Sequence, residues 1–430
     1  MRVLLSAYAC EPDAGSEPGV GWNWVEQIAR FHEVWVLTRE NNRAGIERAL
    51  QRRPQPNVHW VYLDLPAWAK FWKRGQRGIH AYYYLWQVAA YLRGRRLNRE
   101  VGFDIVHHVT FVNYWIPSFL PLLPPPFIWG PVGGGESAPA AFLRTLSTRG
   151  RRYEYARTLA RAFGEHDVFV RRAARRAAAV LATTAETAER IRNLGARNVQ
   201  IVSQVALTTD DFARLGRLPP RTGGPFRAVS VGRLIDWKGF HLALDAFAVL
   251  RERVPASEYW IIGDGPDRGH VEHAVATLGL ESVVMFKGWL PRDELLGRLA
   301  ECDVLIHPSL HDSGGWVCAE AMAARRPVVC FALGGPALQV TADTGFAVPA
   351  HVPDVAVQEM AAALLRLASD SHLRTRMGEA AREQALRACH WDKRGDFIDS
   401  LYTEVMAFRV DRPGRDRRNA TLLSNAGVAK

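Results

Sequence analysis

Short apolar runs, each too brief for a helix, alternate with helix-length amphipathic stretches along almost the whole chain, and the alternation occurs twice. Such runs become strands buried on both faces of a parallel sheet, because every crossover helix must cover one face. In the first series strands are expected over 2–7, 34–38, 58–63, 104–109, 127–129, 179–183 and 199–205. A second series places them over 227–231, 259–262, 283–286, 302–307 and 328–331. Between the two, residues 208–225 have the Pro, Gly and Thr density of a linker. At 430 residues with 48% apolar content the chain has material for two cores. The expected fold class is α/β: two doubly wound Rossmann-like domains facing across a cleft. Residues 1–207 and 226–390 form them, a helix over 391–409 packs back towards the first, and 410–430 is a disordered basic tail. Ligands of such sheets bind outside the carboxyl ends of the strands, which here means between the domains.

Charge and composition narrow the function. Net charge is +11, and residues 1–220 carry 30 Lys and Arg against 18 Asp and Glu, so the basic character belongs to the first half. It concentrates in residues 66–99, where eight cations from Lys70 to Arg99 meet no acid and alternate with aromatics such as Trp68, Trp72 and Tyr84. That mixture suits peripheral contact with an anionic membrane, or equally a solvated helix face over a core. No helix-turn-helix, zinc-finger or RNP pattern points to nucleic acid. The apolar stretch 111–132 contains six prolines, which would break a spanning helix repeatedly. Five cysteines lie scattered without paired spacing, as reduced core residues do. The N-terminus resembles a first strand more than a signal peptide, so a cytoplasmic protein is expected.

Two segments carry chemistry. From His307 to Pro336 the order is strand, glycine turn, helix and strand, with Asp312 and Glu320 framing the turn. A helix N-terminus there attracts an anion, and a carboxylate one turn into the helix can accept hydrogen bonds from a vicinal diol. A sugar nucleotide offers a diphosphate and a ribose diol. The second segment, VGRLIDWKGF (231–240), places Arg233 and Lys238 on a loop that opens a helix. Arg binds phosphate oxygens bidentately and Lys adds a point charge, a pair able to neutralise a departing diphosphate.

GRLIDWKG, followed by IIGDGP (261–266), FKGWL (286–290) and CDVLIHPSLHDSGGWVCAEAMA, resembles the donor domain of the retaining glycosyltransferase family 4, of GT-B fold. That family carries two glutamates with seven residues between them; here the first is Asp312. The resemblance implies that Arg233 and Lys238 hold the donor diphosphate and Glu320 the ribose hydroxyls. Asp312 would face the transferred sugar, and the backbone of Gly314, Gly315 and Trp316 would meet sugar and phosphate oxygens. Gly263 and the backbone of Lys287, Gly288, Trp289 and Leu290 would meet the nucleotide. Arg326 stands where the family has Gly, a change expected to affect only the helix end.

In the first half the resemblance is looser. Gly19 and Gly21, after the first strand, and Gly133 and Gly134, in WGPVGGGE (129–136), would bring backbone close to donor phosphate or acceptor. His108 is the better candidate than His107 for the histidine that faces the donor sugar. There is no GxGxxG for a nicotinamide cofactor, no Asp-x-Asp and no zinc spacing. The expected protein is therefore a metal-independent, retaining glycosyltransferase without a cofactor. It would move sugar from a UDP- or GDP-linked donor to a glycan or lipid-linked acceptor in exopolysaccharide or surface polysaccharide assembly. A sugar-nucleotide 2-epimerase and a catalytically weakened sugar-nucleotide binder are the rival readings.

Overall fold

The computed structural model describes residues 1–70, 78–110, 113–219, 221 and 223–410. Strands β1 (Arg2–Ala7), β2 (Glu33–Arg39), β3 (Val58–Leu63), β4 (Ile105–Thr110), β5 (Phe127–Val132), β6 (Ala177–Ala182) and β7 (Val199–Ile201) form a parallel sheet in the order β3-β2-β1-β4-β5-β6-β7. The central register pairs Val3 with Val34 on one side and with Ile105 on the other. Successive β1 residues point to opposite faces: Val3, Leu5 and Ala7 join one core cluster and Leu4 the other.

Strands β8 (Phe226–Val231), β9 (Ser257–Ile262), β10 (Val284–Gly288), β11 (Val304–His307), β12 (Val328–Phe331) and β13 (Gly345–Val348) build the second parallel sheet, in the order β10-β9-β8-β11-β12-β13. In each sheet the strand order reverses at the first strand, so the ends of β1/β4 and of β8/β11 are the switch points where a doubly wound fold opens a crevice. The terminal strand β13 escaped the sequence reading, since four residues beginning with Gly carry almost no periodicity.

The two chain crossings between the domains lie side by side. Leu207 N–H donates to Cys389 O at 2.8 Å, and Trp391 N–H donates to Leu207 O at 3.1 Å. After the second crossing the helix Trp391–Val410 packs on the helix Ser16–Ala29 of the first domain. Trp391, Ile398, Leu401 and Tyr402 are buried in that domain's core.

Two segments differ from their expected form. The run 208–225 is not an extended linker at its start: Thr209–Gly216 is a helix closed by a reciprocal capping box between Thr208 and Asp211. Its Phe212 and Leu215 join the second domain's core. Arg326 does more than end a helix, since its buried guanidinium donates to the carbonyls of Leu299, Ala300 and Pro219. The five cysteines are buried and unpaired. No described helix is long and apolar enough to cross a membrane. Lys73, Arg74, Arg77 and the 411–430 tail lie outside the described residues, and Lys70 is described only in its backbone.

Candidate active site in the interdomain cleft

The loop after β11 is built around Asp312. Its Oδ1 accepts from the N–H groups of Gly314 and Gly315, at 3.0 and 3.1 Å, and Oδ2 meets Lys238 Nζ at 2.5 Å and His307 Nε2 at 3.3 Å. Gly315 sits at φ 76°, and a Cβ there would come within 2.8 Å of Pro336. Only glycine fits both the left-handed backbone and the space. Gln339 clamps the turn from behind by donating to the Gly314 carbonyl. The helix Trp316–Ala323 then begins, and the N–H groups of Trp316 and Val317 meet no acceptor among the described residues.

Burial alone would raise the Asp312 carboxyl, yet Lys238 and His307 beside it hold it well below the usual carboxylate range. The acid expected to face a sugar is thus occupied by Lys238 from the neighbouring strand-end loop and by the N–H groups of its own turn. Opposite charges in a half-closed cleft pair with each other, and the shorter Asp side chain keeps the carboxylate within reach of its own turn.

Glu320, one turn along the same helix, is buried and pushed up to about 7 by burial, although Arg292 lies beside it. Arg292 donates to Glu320 Oε1 at 3.1 Å and to Asp211 Oδ1 at 2.6 Å. Sequence reasoning missed Arg292, but a signal existed. It is the first residue of the helix Arg292–Arg298, where the macrodipole disfavours a cation, so an outside partner holds it there.

One cleft of about 710 Å³ gathers most of the expected residues. Arg233, Lys238, Trp289, Leu290, Asp312, Gly314, Gly315, Trp316 and Glu320 line it from the second domain, and Gly133 and Gly134 from the first. Arg233 is exposed and forms no ion pair among the described residues, so its guanidinium stands free to meet an anion. Glu136 was not foreseen: it accepts from Thr184, Thr187 and Gly134 N–H, and across the cleft from Ser313 Oγ at 2.7 Å.

Other expected residues are placed elsewhere. His108 bonds Tyr83 Oη at 2.9 Å and His107 bonds Tyr402 Oη and Gly130 O; burial lowers them to about 4 and about 3, and neither lines the cleft. Both belong to β4, buried along its whole length, which turns its histidines into the two cores. Gly19 and Gly21 lie inside the helix Ser16–Ala29; a Cβ on Gly21 would stand 2.0 Å from Ala9 O, so that glycine serves close packing. Gly15 and Glu17 of the same turn line the cleft instead. Gly263 packs against Gly232 backbone, Gly288 O accepts from Gly263 N–H, and Lys287 lies over the Trp260 ring; none of the three lines the cleft. Asp236, Asp267 and His270 bring donor atoms within 4.8 Å of one another, but both Asp236 oxygens already accept from Ser147.

Residues 219–384 match the family described as glycosyl transferases group 1, and residues 14–203 match the glycosyl transferase 4-like domain. The chain belongs to the group 1 glycosyltransferases. Its similarity to a 2-deoxystreptamine glucosyltransferase of Streptomyces kanamyceticus is 39% identity over 116 residues, 27% of this chain and 30% of that protein. An alpha-D-kanosaminyltransferase of the same organism is 30% identical over 244 residues, 55% of this chain and 62% of that one. The matched stretches thus span less than two thirds of these relatives. Among solved structures, Alr3699/HepE of Anabaena in complex with UDP and glucose superposes with TM-score 0.59 at 17% identity, covering 94% of this chain and 100% of that one. This likeness shows the fold: the two parallel-sheet domains of this group 1 glycosyltransferase form a GT-B pair.

Proposed function

We propose that the chain is a retaining, metal-independent glycosyltransferase that moves a sugar from a nucleotide-diphosphate donor, UDP- or GDP-linked, to a glycan or lipid-linked glycan acceptor. The observation that carries this reading is the arrangement at the β8/β11 switch point. Arg233, free of any ion pair among the described residues, and Lys238, paired with Asp312, leave one strand end, and a helix N-terminus with Glu320 one turn in leaves the next. That set offers the cations and N–H groups that bind a diphosphate and the carboxylate that accepts from a ribose diol. A solved relative in fold, HepE, is described with UDP and glucose, which supports a UDP-linked donor. In the reaction the acceptor oxygen bonds the anomeric carbon on the face from which the diphosphate leaves. The bond from that carbon to the diphosphate breaks, and the acceptor proton passes to a phosphate oxygen. Arg233 and Lys238 neutralise the charge that builds there, with no metal or bound cofactor required. Surface or exopolysaccharide assembly, on the cytoplasmic side of a membrane, is the proposed setting.

A thermal-shift screen of UDP, GDP and ADP sugars tests the donor site, since a ligand at 100 times its Kd stabilises the fold by about 2.7 kcal/mol. Arg233→Ala is the sharper variant because, unlike Lys238→Ala, it strips no partner from Asp312. It is expected to cost about 2 to 3 kcal/mol of transition-state stabilisation, roughly a hundredfold in turnover. Near-normal turnover at saturating donor would sink the clamp.

A further inference from the structure

A second cavity, about 550 Å³, opens beside the donor cleft and is almost wholly apolar. His80, Ala81, Tyr84 and Leu85 of the helix Ile79–Val101 form one wall, and Trp115, Ile116 and Pro117 the other. Its one acid, Asp167, is already occupied: Oδ1 accepts from Phe169 and Val170 N–H as a helix cap, and Oδ2 lies 3.4 Å from Tyr84 Oη. The two cavities share a wall. Asn113 lines the donor cleft and Trp115 the apolar groove, two residues apart, which is at most about 7 Å of chain. Behind that wall, a Cβ on Gly134 would stand 2.4 Å from the Trp115 ring, so the groove's aromatic and the cleft's glycine loop are packed as one piece.

The apolar surface does not end at the groove. On the helix Ile79–Val101 the exposed face runs Ala81, Leu85, Val88, Leu92, and continues at the same spacing into Arg95, Arg96 and Arg99, which form no ion pair among the described residues. The helix Thr148–His166 lies on the other side, its Gly164 packed against the Trp115 carbonyl, and it exposes Tyr155, Leu159 and Phe163 four residues apart. An apolar groove continued along one of its walls by an exposed apolar stripe is uncommon on a free surface, where contiguous apolar patches mark binding sites.

We infer that this groove seats the hydrocarbon chain of a lipid-linked acceptor, with its polar head across the Asn113–Trp115 wall in the donor cleft. This rests on the proposed glycosyl transfer and specifies its acceptor as amphiphilic. The charge pattern fits that occupant: the apolar half of the helix meets the chain, and the cationic half is available to phosphate groups nearer the lipid's own surroundings. A free glycan would leave the groove unused, and a polar polymer would be repelled from it.

The test uses the full chain and its own tryptophans. Dodecyl maltoside brominated in its chain, kept below its micelle concentration, is expected to quench tryptophan fluorescence, and unbrominated dodecyl maltoside, but not maltose, is expected to relieve the quenching. Leu85→Glu, at a 42% exposed position that tolerates charge, should weaken the quenching about tenfold in concentration, while Leu85→Ile keeps it. The UDP thermal shift should be the same in all three proteins. Absence of quenching, or equal quenching of Leu85→Glu and wild type, overturns the inference. Quenching by brominated phosphatidylglycerol vesicles without quenching by the alkyl glycoside also overturns it, by showing that the groove meets a bilayer. Loss of the UDP shift in wild type would instead strike the donor site and leave the groove's result standing by itself.

Discussion

Burial sets the titration of Glu320, and two measurable quantities follow with opposite sign. The folded protein holds this carboxyl at about 7, above the ordinary 4.5, so the folded state binds its proton more tightly than the unfolded one. Its contribution to stability is therefore present below the ordinary value and is lost as pH rises through about 7. Donor binding runs the other way, because a carboxylate accepts two hydroxyl hydrogen bonds and a carboxylic acid offers a poorer pair. Affinity for UDP, followed by titration calorimetry, is expected to rise as pH passes upward through about 7, and Glu320→Gln to remove the slope. An unchanged slope in that variant would show that Glu320 does not contact the nucleotide. At this scale Glu320, Arg233 and Lys238 were legible from residue type and spacing, since charge at a strand end is a local property. The pairing of Arg292 with Glu320 and that of Asp312 with Lys238 were not, because each joins residues tens of positions apart.

Among elements, the segment 138–154 ties the two domains together. It follows β5 of the first sheet, yet Ala138, Phe142 and Leu146 are buried in the second domain's core, with Phe142 edge-on to Phe331 at 5.6 Å. The helix Thr148–His166 then carries Glu154 to His311 at 2.7 Å, in a buried pair beneath the Tyr153, Trp237 and His311 ring stack. Ser147 meanwhile caps its own helix and donates to Asp236. These contacts fix one wall of the cleft to the other beside the Arg233 and Lys238 loop. Phe142→Ala is expected to cost about 3 to 5 kcal/mol, a buried aromatic replaced by a cavity, and to lower the melting temperature by calorimetry. A loss under about 1 kcal/mol would mean that the segment only rests on the second domain. Nothing in the sequence marks this cross-domain docking, since an apolar residue does not name the core it will enter.

For the whole molecule, the excess of cations in the first half bears on location. With Lys70, Lys73, Arg74 and Arg77 neutralised, sedimentation with phosphatidylglycerol vesicles is expected to fall, each cation near such a surface being worth up to about 1 kcal/mol. Equal sedimentation of variant and wild type removes the membrane contact. The alternation of strand and helix, the basic first half and the acids about a glycine turn are local patterns, and by itself the sequence determined from them two doubly wound domains and several of the residues that line the cleft. Tertiary structure decided the rest. It turned His107 and His108 inward, moved Gly19 and Gly21 into helix packing, paired Lys238 with Asp312, and opened an apolar groove one loop away from the cleft. The physical reason is that periodicity and turn chemistry act over a few residues, whereas burial, ion pairing and cavities arise only when distant segments exclude water together.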